Sequence, residues 1–138
     1  LLACLNAATS IVPRRIEVNA EKAWTEWLRD ARQPGDTVLV LDATEYAYAR
    51  YFTGGAVLNA RTLWRQDDAE VARVLAGAAA SGTLYIEGRV MGNREIPDPW
   101  WEGRVGRFQN HLARLGTPER IRQDGWRTLY RLRPHAQR

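Results

Sequence analysis

Asp42, Thr44 and Glu45 are the residues of this sequence best placed to form a site. They follow the apolar run Thr37-Val38-Leu39-Val40-Leu41, and in an open α/β sheet ligands bind beyond the carboxyl ends of the strands. The same residues can instead start a helix, with Asp42 or Thr44 as its N-cap and Glu45 favoured by the dipole. Trp100 is the second candidate, in Pro97-Asp98-Pro99-Trp100-Trp101-Glu102. Adjacent helical residues point about 100° apart, so Trp101 can pack inward while Trp100 stays exposed beside Arg94 and Arg104. An exposed indole there suits a membrane interface, or stacking on a sugar or base. A packing contact between helix and loop is the alternative.

Other chemistries lack their residues. No glycine follows the first apolar run in Asp42-Ala43-Thr44-Glu45-Tyr46, so neither the dinucleotide fingerprint nor a P-loop is present. No cofactor is expected. Cys4 is the single cysteine, and His111 and His135 are the two histidines, which excludes a zinc site of the usual kind. His111 adjoins Leu112 near an apolar helical face and reads as structural. Neither histidine accompanies a nucleophile motif, so no catalytic residue is assigned.

The elements that must position these residues follow from periodicity. Ala20, Ala23, Trp24, Trp27, Leu28 and Ala31 share a helical face, with Asn19 as cap and Pro34-Gly35 as stop. Thr37–Leu41 reads as a strand covered on both faces. A short helix over Thr44–Phe52, ended by Gly54-Gly55, leads to a strand over Ala56–Ala60. Asp67 or Asp68 caps a helix ending at Gly82, and Thr83–Glu87 is a third strand. Gly88 to Pro97 reads as a loop. Asp98-Pro99 opens a helix carrying Trp101, Val105, Phe108, Leu112 and Leu115 to Gly116. Arg120–Leu132 reads as a hairpin turning at Asp124-Gly125. This alternation predicts an α/β fold: three layers, a mostly parallel, Rossmann-like sheet flanked by helices, and a C-terminal antiparallel hairpin. The 138 residues fit one domain, 19–134, with a lead-in over 1–18 and a tail over 135–138. The lead-in, from Leu1-Leu2-Ala3-Cys4, suits either a core-packing segment or the end of a truncated membrane helix.

Charge is uneven. Residues 101–138 hold nine Arg and three acids, a balance of +6, within a chain total of +4. Arg104, Arg107 and Arg114 can share the solvent face of one helix, and Arg127, Arg131 and Arg133 one side of a strand, with Leu129 on that side too. Arg120 and Arg122 add to the same region. Such a segment suits an anionic surface, or a plain solvated face.

Two stretches carry a family resemblance: Ala23-Trp24…Trp27-Leu28…Pro34-Gly35-Asp36-Thr37-Val38-Leu39-Val40, then Tyr46-Ala47-Tyr48-Ala49-Arg50-Tyr51-Phe52-Thr53-Gly54-Gly55. With Gly82-Thr83-Leu84-Tyr85-Ile86 and the closing Gly125-Trp126-Arg127-Thr128-Leu129-Tyr130-Arg131-Leu132, residues 19–132 resemble the soluble C-terminal region of bacterial polytopic membrane glycosyltransferases. These are GT-C enzymes, dependent on polyprenyl-phosphate sugars and related to protein mannosyltransferases. In that family the catalytic carboxylates lie in the membrane-embedded part, and nothing here matches them. The resemblance therefore implies a non-catalytic accessory domain, extracytoplasmic (periplasmic) at the bacterial inner membrane. Its implied partner is the membrane portion of the same polypeptide; the basic C-terminal segment adds anionic lipid headgroups as a partner, and no nucleic acid is expected. The competing reading is a free-standing α/β module that contacts a polyanion through its basic C-terminal half.

Overall fold

The computed structural model describes residues 23–41, 43–93, 98–125 and 127–135, with the backbone alone at 43–45, 48 and 52. Helix α1 covers 23–31 and buries Trp24 and Leu28. It stops at Pro34-Gly35, where Gly35 takes a φ of 93°. The carboxylate of the next residue, Asp36, accepts the Gln33 N–H at 2.8 Å and the Thr83 N–H at 2.7 Å. One side chain thus closes the turn and ties it to the neighbouring strand.

Strand β1 (Thr37–Val40) leads through α2 (Ala43–Thr53) to β2 (Ala56–Asn59). The sequence reading extended β2 to Ala60, but Ala60 begins a short helix, α3 (Ala60–Leu63), capped by Asn59. Asp67 caps α4 (Asp68–Ser81) through its contact with the Glu70 N–H at 2.8 Å. The chain then passes Gly82, where a Cβ would stand 2.6 Å from the Gly35 carbonyl carbon, so the two turns can close only around a bare backbone. Strand β3 (Leu84–Glu87) runs into a 3-10 helix (Gly88–Met91), where a loop was expected. The expected long helix after Asp98 is two: α5 (Pro99–Glu102) and α6 (Val105–Leu115), broken at Gly103-Arg104. Strands β4 (Gly116–Asp124) and β5 (Arg127–Pro134) close the fold.

The sheet has five strands in the order β2-β1-β3-β5-β4. β1 pairs in parallel with β2 and β3, while β5 pairs antiparallel with β3 and β4. The expected α/β class and the flanking helices hold. The mostly parallel, Rossmann-like sheet does not: the sheet is mixed and mostly antiparallel. The reason is strand length. The three parallel strands have four residues each, whereas β4 and β5 have nine and eight. Thr117-Pro118-Glu119 does not look like strand, yet it pairs with Leu132 and its neighbours because β4 is an edge, where proline is tolerated. Asp124 pairs with Arg127, so the turn is centred on Gly125, at a φ of 57°, rather than on Asp124.

Side chains alternate across the sheet, giving two cores. Val38, Val40, Val57, Tyr85 and Leu129 pack on Trp24, Leu28 and Ala49 of α1 and α2. Leu39, Leu41, Leu84, Ile86 and Leu132 pack on α3 to α6, including Val71, Leu75, Trp101, Phe108 and Leu112. The capping role expected of Asn19 and the two readings of the 1–18 lead-in lie outside the described residues.

Candidate functional site

In the parallel half, α2 lies on one face of the sheet and α4 on the other, and β1 stands between β2 and β3. The carboxyl ends of β1 and β3 therefore form the point where the winding reverses, the place for a ligand in an open α/β sheet. The chain has put its own groups there. Glu87, at the end of β3, accepts the Leu41 N–H on Oε2 at 2.9 Å, and its Oε1 pairs with Arg89 Nε. The Glu87 and Arg89 side chains are only 12% and 17% exposed. The Leu41 carbonyl accepts the Arg61 N–H at 3.2 Å, so α3 also starts on this edge. Arg61 in turn reaches Asp98 Oδ2 at 2.5 Å.

Beside that edge stands a ladder of rings and guanidinium groups. Arg61 lies over the Trp100 ring at 5.0 Å and Arg104 at 4.5 Å. Arg104 also lies 4.7 Å from the centroid of Trp64, which meets Trp100 edge-on at 5.7 Å. Trp101 stacks on Trp100 at 5.9 Å and is itself fully buried against Phe108. Trp100 is 37% exposed, so the inward and outward indoles expected at 101 and 100 are observed.

Of the other sequence candidates, Asp42 lies outside the described residues, as do Arg94 and the rest of 94–97. Thr44 and Glu45 fall in the first turn of α2. Arg104 sits in the turn before α6 rather than on its face, which corrects the expected row of Arg104, Arg107 and Arg114. Arg107 is not free for a partner: it donates to Asp68 Oδ1, the Trp64 carbonyl and the Gln66 carbonyl. Asp68 also meets the buried His111 at 3.2 Å, and its hydrogen bond from Arg107 holds its carboxyl below the ordinary value. Arg114 is exposed on α6. On β5, Arg127 is half-buried, and Arg131 and Arg133 share Glu119 at 2.9 and 2.8 Å. Leu129, on the Arg131 side, is covered by α1. Arg120 donates to Gln123, and Arg122 lies over Trp27 at 4.4 Å, fastening α1 to the hairpin.

A groove of about 360 Å³ lies at the opposite edge, lined by Asp36, Thr83, Arg131 and Arg133 among others. Asp36 already accepts two backbone N–H groups there. Glu87 and Arg61 were missed in the sequence, although the rule that selected Asp42, a polar residue just past an apolar strand, also applies to Glu87. Among the described residues no group of three His, Cys, Asp or Glu is placed to hold a metal, and no helix is long and apolar enough to cross a membrane. Compared with protein-family models, curated proteins and solved structures, the chain finds no match.

Proposed function

We propose that this chain is a non-catalytic accessory domain of a polytopic, polyprenyl-phosphate-sugar-dependent membrane glycosyltransferase, standing on the extracytoplasmic side of the inner membrane. The pattern over residues 19–132 supports the family. The observation that carries the non-catalytic part is the Glu87 carboxylate on the Leu41 N–H. A nucleotide phosphate at the winding reversal needs free backbone N–H groups and positive potential. Here the chain's own side chains, the Glu87 carboxylate on the Leu41 N–H and Arg89 paired with it, fill the seam between β1 and β3. Exposed arginines such as Arg114 then suit anionic headgroups, with the membrane part of the same polypeptide as the permanent partner.

Two measurements test this reading. Titration calorimetry with nucleotides and nucleotide-sugars should show no micromolar binding. Micromolar affinity would revive an enzyme. The reading frame encoding the chain should also run on upstream through about ten apolar segments, each near the ~20 residues of a membrane span. A start codon near Leu1 would favour the free-standing module.

A further inference from the structure

We infer that the Trp64–Trp100 ladder is a discrete site for the phosphate of an anionic phospholipid headgroup. It deepens the membrane reading above by naming where the membrane is touched. Three buried N–H donors on residues packed around Trp100 have no acceptor among the described residues: Arg61 Nε, Arg104 Nε and Trp101 Nε1. Buried donors in folded proteins almost always have partners, and leaving one unmade is costly. Here the three orphans surround a single exposed indole.

All three lack an oxygen acceptor, and two belong to cations, so the complementary ligand is an oxyanion. Arg61 is already offset by Asp98. Arg104 donates to the Trp100 carbonyl at 2.5 Å and has no carboxylate partner among the described residues. Among the described members of the ladder, Arg61, Asp98 and Arg104 leave one positive charge, which matches a singly charged phosphodiester. Contact with both Trp64 and Trp100 holds the Arg104 guanidinium in place, and its N–H groups are suited to phosphate oxygens. Turning the Trp100 ring outward, with Arg104 still held against Trp64, would uncover the buried donors and set an indole at headgroup depth, where tryptophan is favoured.

Vesicles of phosphatidylcholine, with and without phosphatidylglycerol carrying brominated acyl chains, test the site. The protein should bind only the phosphatidylglycerol vesicles, and bromine should quench its tryptophan fluorescence. Trp100→Phe should remove much of that quenching. Arg104→Gln should weaken partitioning about fivefold or more, the worth of one near-surface arginine, while Arg114→Gln, on exposed α6 surface, should weaken it less. Equal losses for Arg104→Gln and Arg114→Gln would mean diffuse attraction and overturn the site. Unchanged quenching in Trp100→Phe would overturn it too. So would release of the wild-type protein from vesicles by millimolar glycerol phosphate, which would mark a site for free phosphates, or tighter binding to duplex DNA than to vesicles. A chain that binds as described but has no upstream membrane segments would fail the proposed function and keep this inference.

Discussion

Glu87 finishes the hydrogen-bond ladder between the two central strands with its side chain. The backbone register ends at Leu39 opposite Ile86, and one residue further along β3 the Glu87 carboxylate takes the Leu41 N–H at 2.9 Å. The arrangement lengthens the β1–β3 seam and puts a carboxylate, paired with Arg89, where this class of sheet usually leaves an opening. The Glu87 carboxylate thus joins the two central strands at the point where the winding reverses.

Glu87→Ala should destabilise the domain by about 2–4 kcal/mol, because it removes the acceptor of a buried N–H and the carboxylate partner of the poorly exposed Arg89. Glu87→Gln keeps an acceptor for Leu41 and should cost clearly less. Urea denaturation of the two variants measures the difference. Equal losses would mean that the amide bond to Leu41 contributes nothing.

Asp36→Ala should cost about 2–3 kcal/mol, since two backbone N–H groups lose their shared acceptor. Asp36→Asn retains one oxygen and should recover roughly half of that loss. Hydrogen exchange should quicken at Gln33 and Thr83 in Asp36→Ala. Protection unchanged at Thr83 would show that the carboxylate does not hold the two turns together.

How much of this could be read in advance differs by element. β1 and β3 were legible because Val38-Leu39-Val40 and Leu84-Tyr85-Ile86 are uninterrupted apolar runs, and α4 because Asp67 caps an apolar face. The balance of the sheet was not. Whether the hairpin or the parallel unit dominates depends on Thr117-Pro118-Glu119 joining a strand, which only the edge position of β4 permits. The Trp100 ladder was half legible. Exposure of Trp100 follows from helical geometry, but its meeting with Arg61 and Trp64 joins residues more than 35 positions apart, which no local pattern encodes.

Acid should weaken the fold through exposed ion pairs. The Glu119 carboxyl lies below its ordinary 4.5, chiefly through its hydrogen bond from Arg131, and Asp68 lies below 3.8 through Arg107. A carboxyl depressed in the folded state contributes stability above its unfolded value and loses it as pH falls through the folded one. Urea midpoints should therefore hold near neutrality and drop below about pH 4.5. Glu119→Gln combined with Asp68→Asn should flatten that acid limb, and so should high salt, because both carboxylates are solvent-exposed. An acid limb identical in the double variant and the parent would refute this account.

Arg107 and Arg114 share α6 and carry the same charge, but their substitution should have opposite consequences. The Arg107 side chain is 23% exposed and bonds the Trp64 and Gln66 carbonyls at 2.8 Å each, holding α6 against the segment between α3 and α4. Its third bond, to exposed Asp68, adds a smaller part that is lost in acid. Arg107→Ala leaves the part-buried Trp64 carbonyl without its donor and should cost about 1–2 kcal/mol. Lysine, with one nitrogen in place of a planar fork, cannot span both carbonyls and should restore only part of the loss. Arg114→Ala should stay within about 0.5 kcal/mol, as for other open surface positions. The contrast bears on any charge-reversal test of membrane binding. Arg107→Glu would weaken binding by loosening α6, whereas Arg114→Glu reports on surface charge alone. Thermal melts of Arg107→Ala, Arg107→Lys and Arg114→Ala decide the matter, and equal shifts for the two alanine variants would remove Arg107 from its structural role.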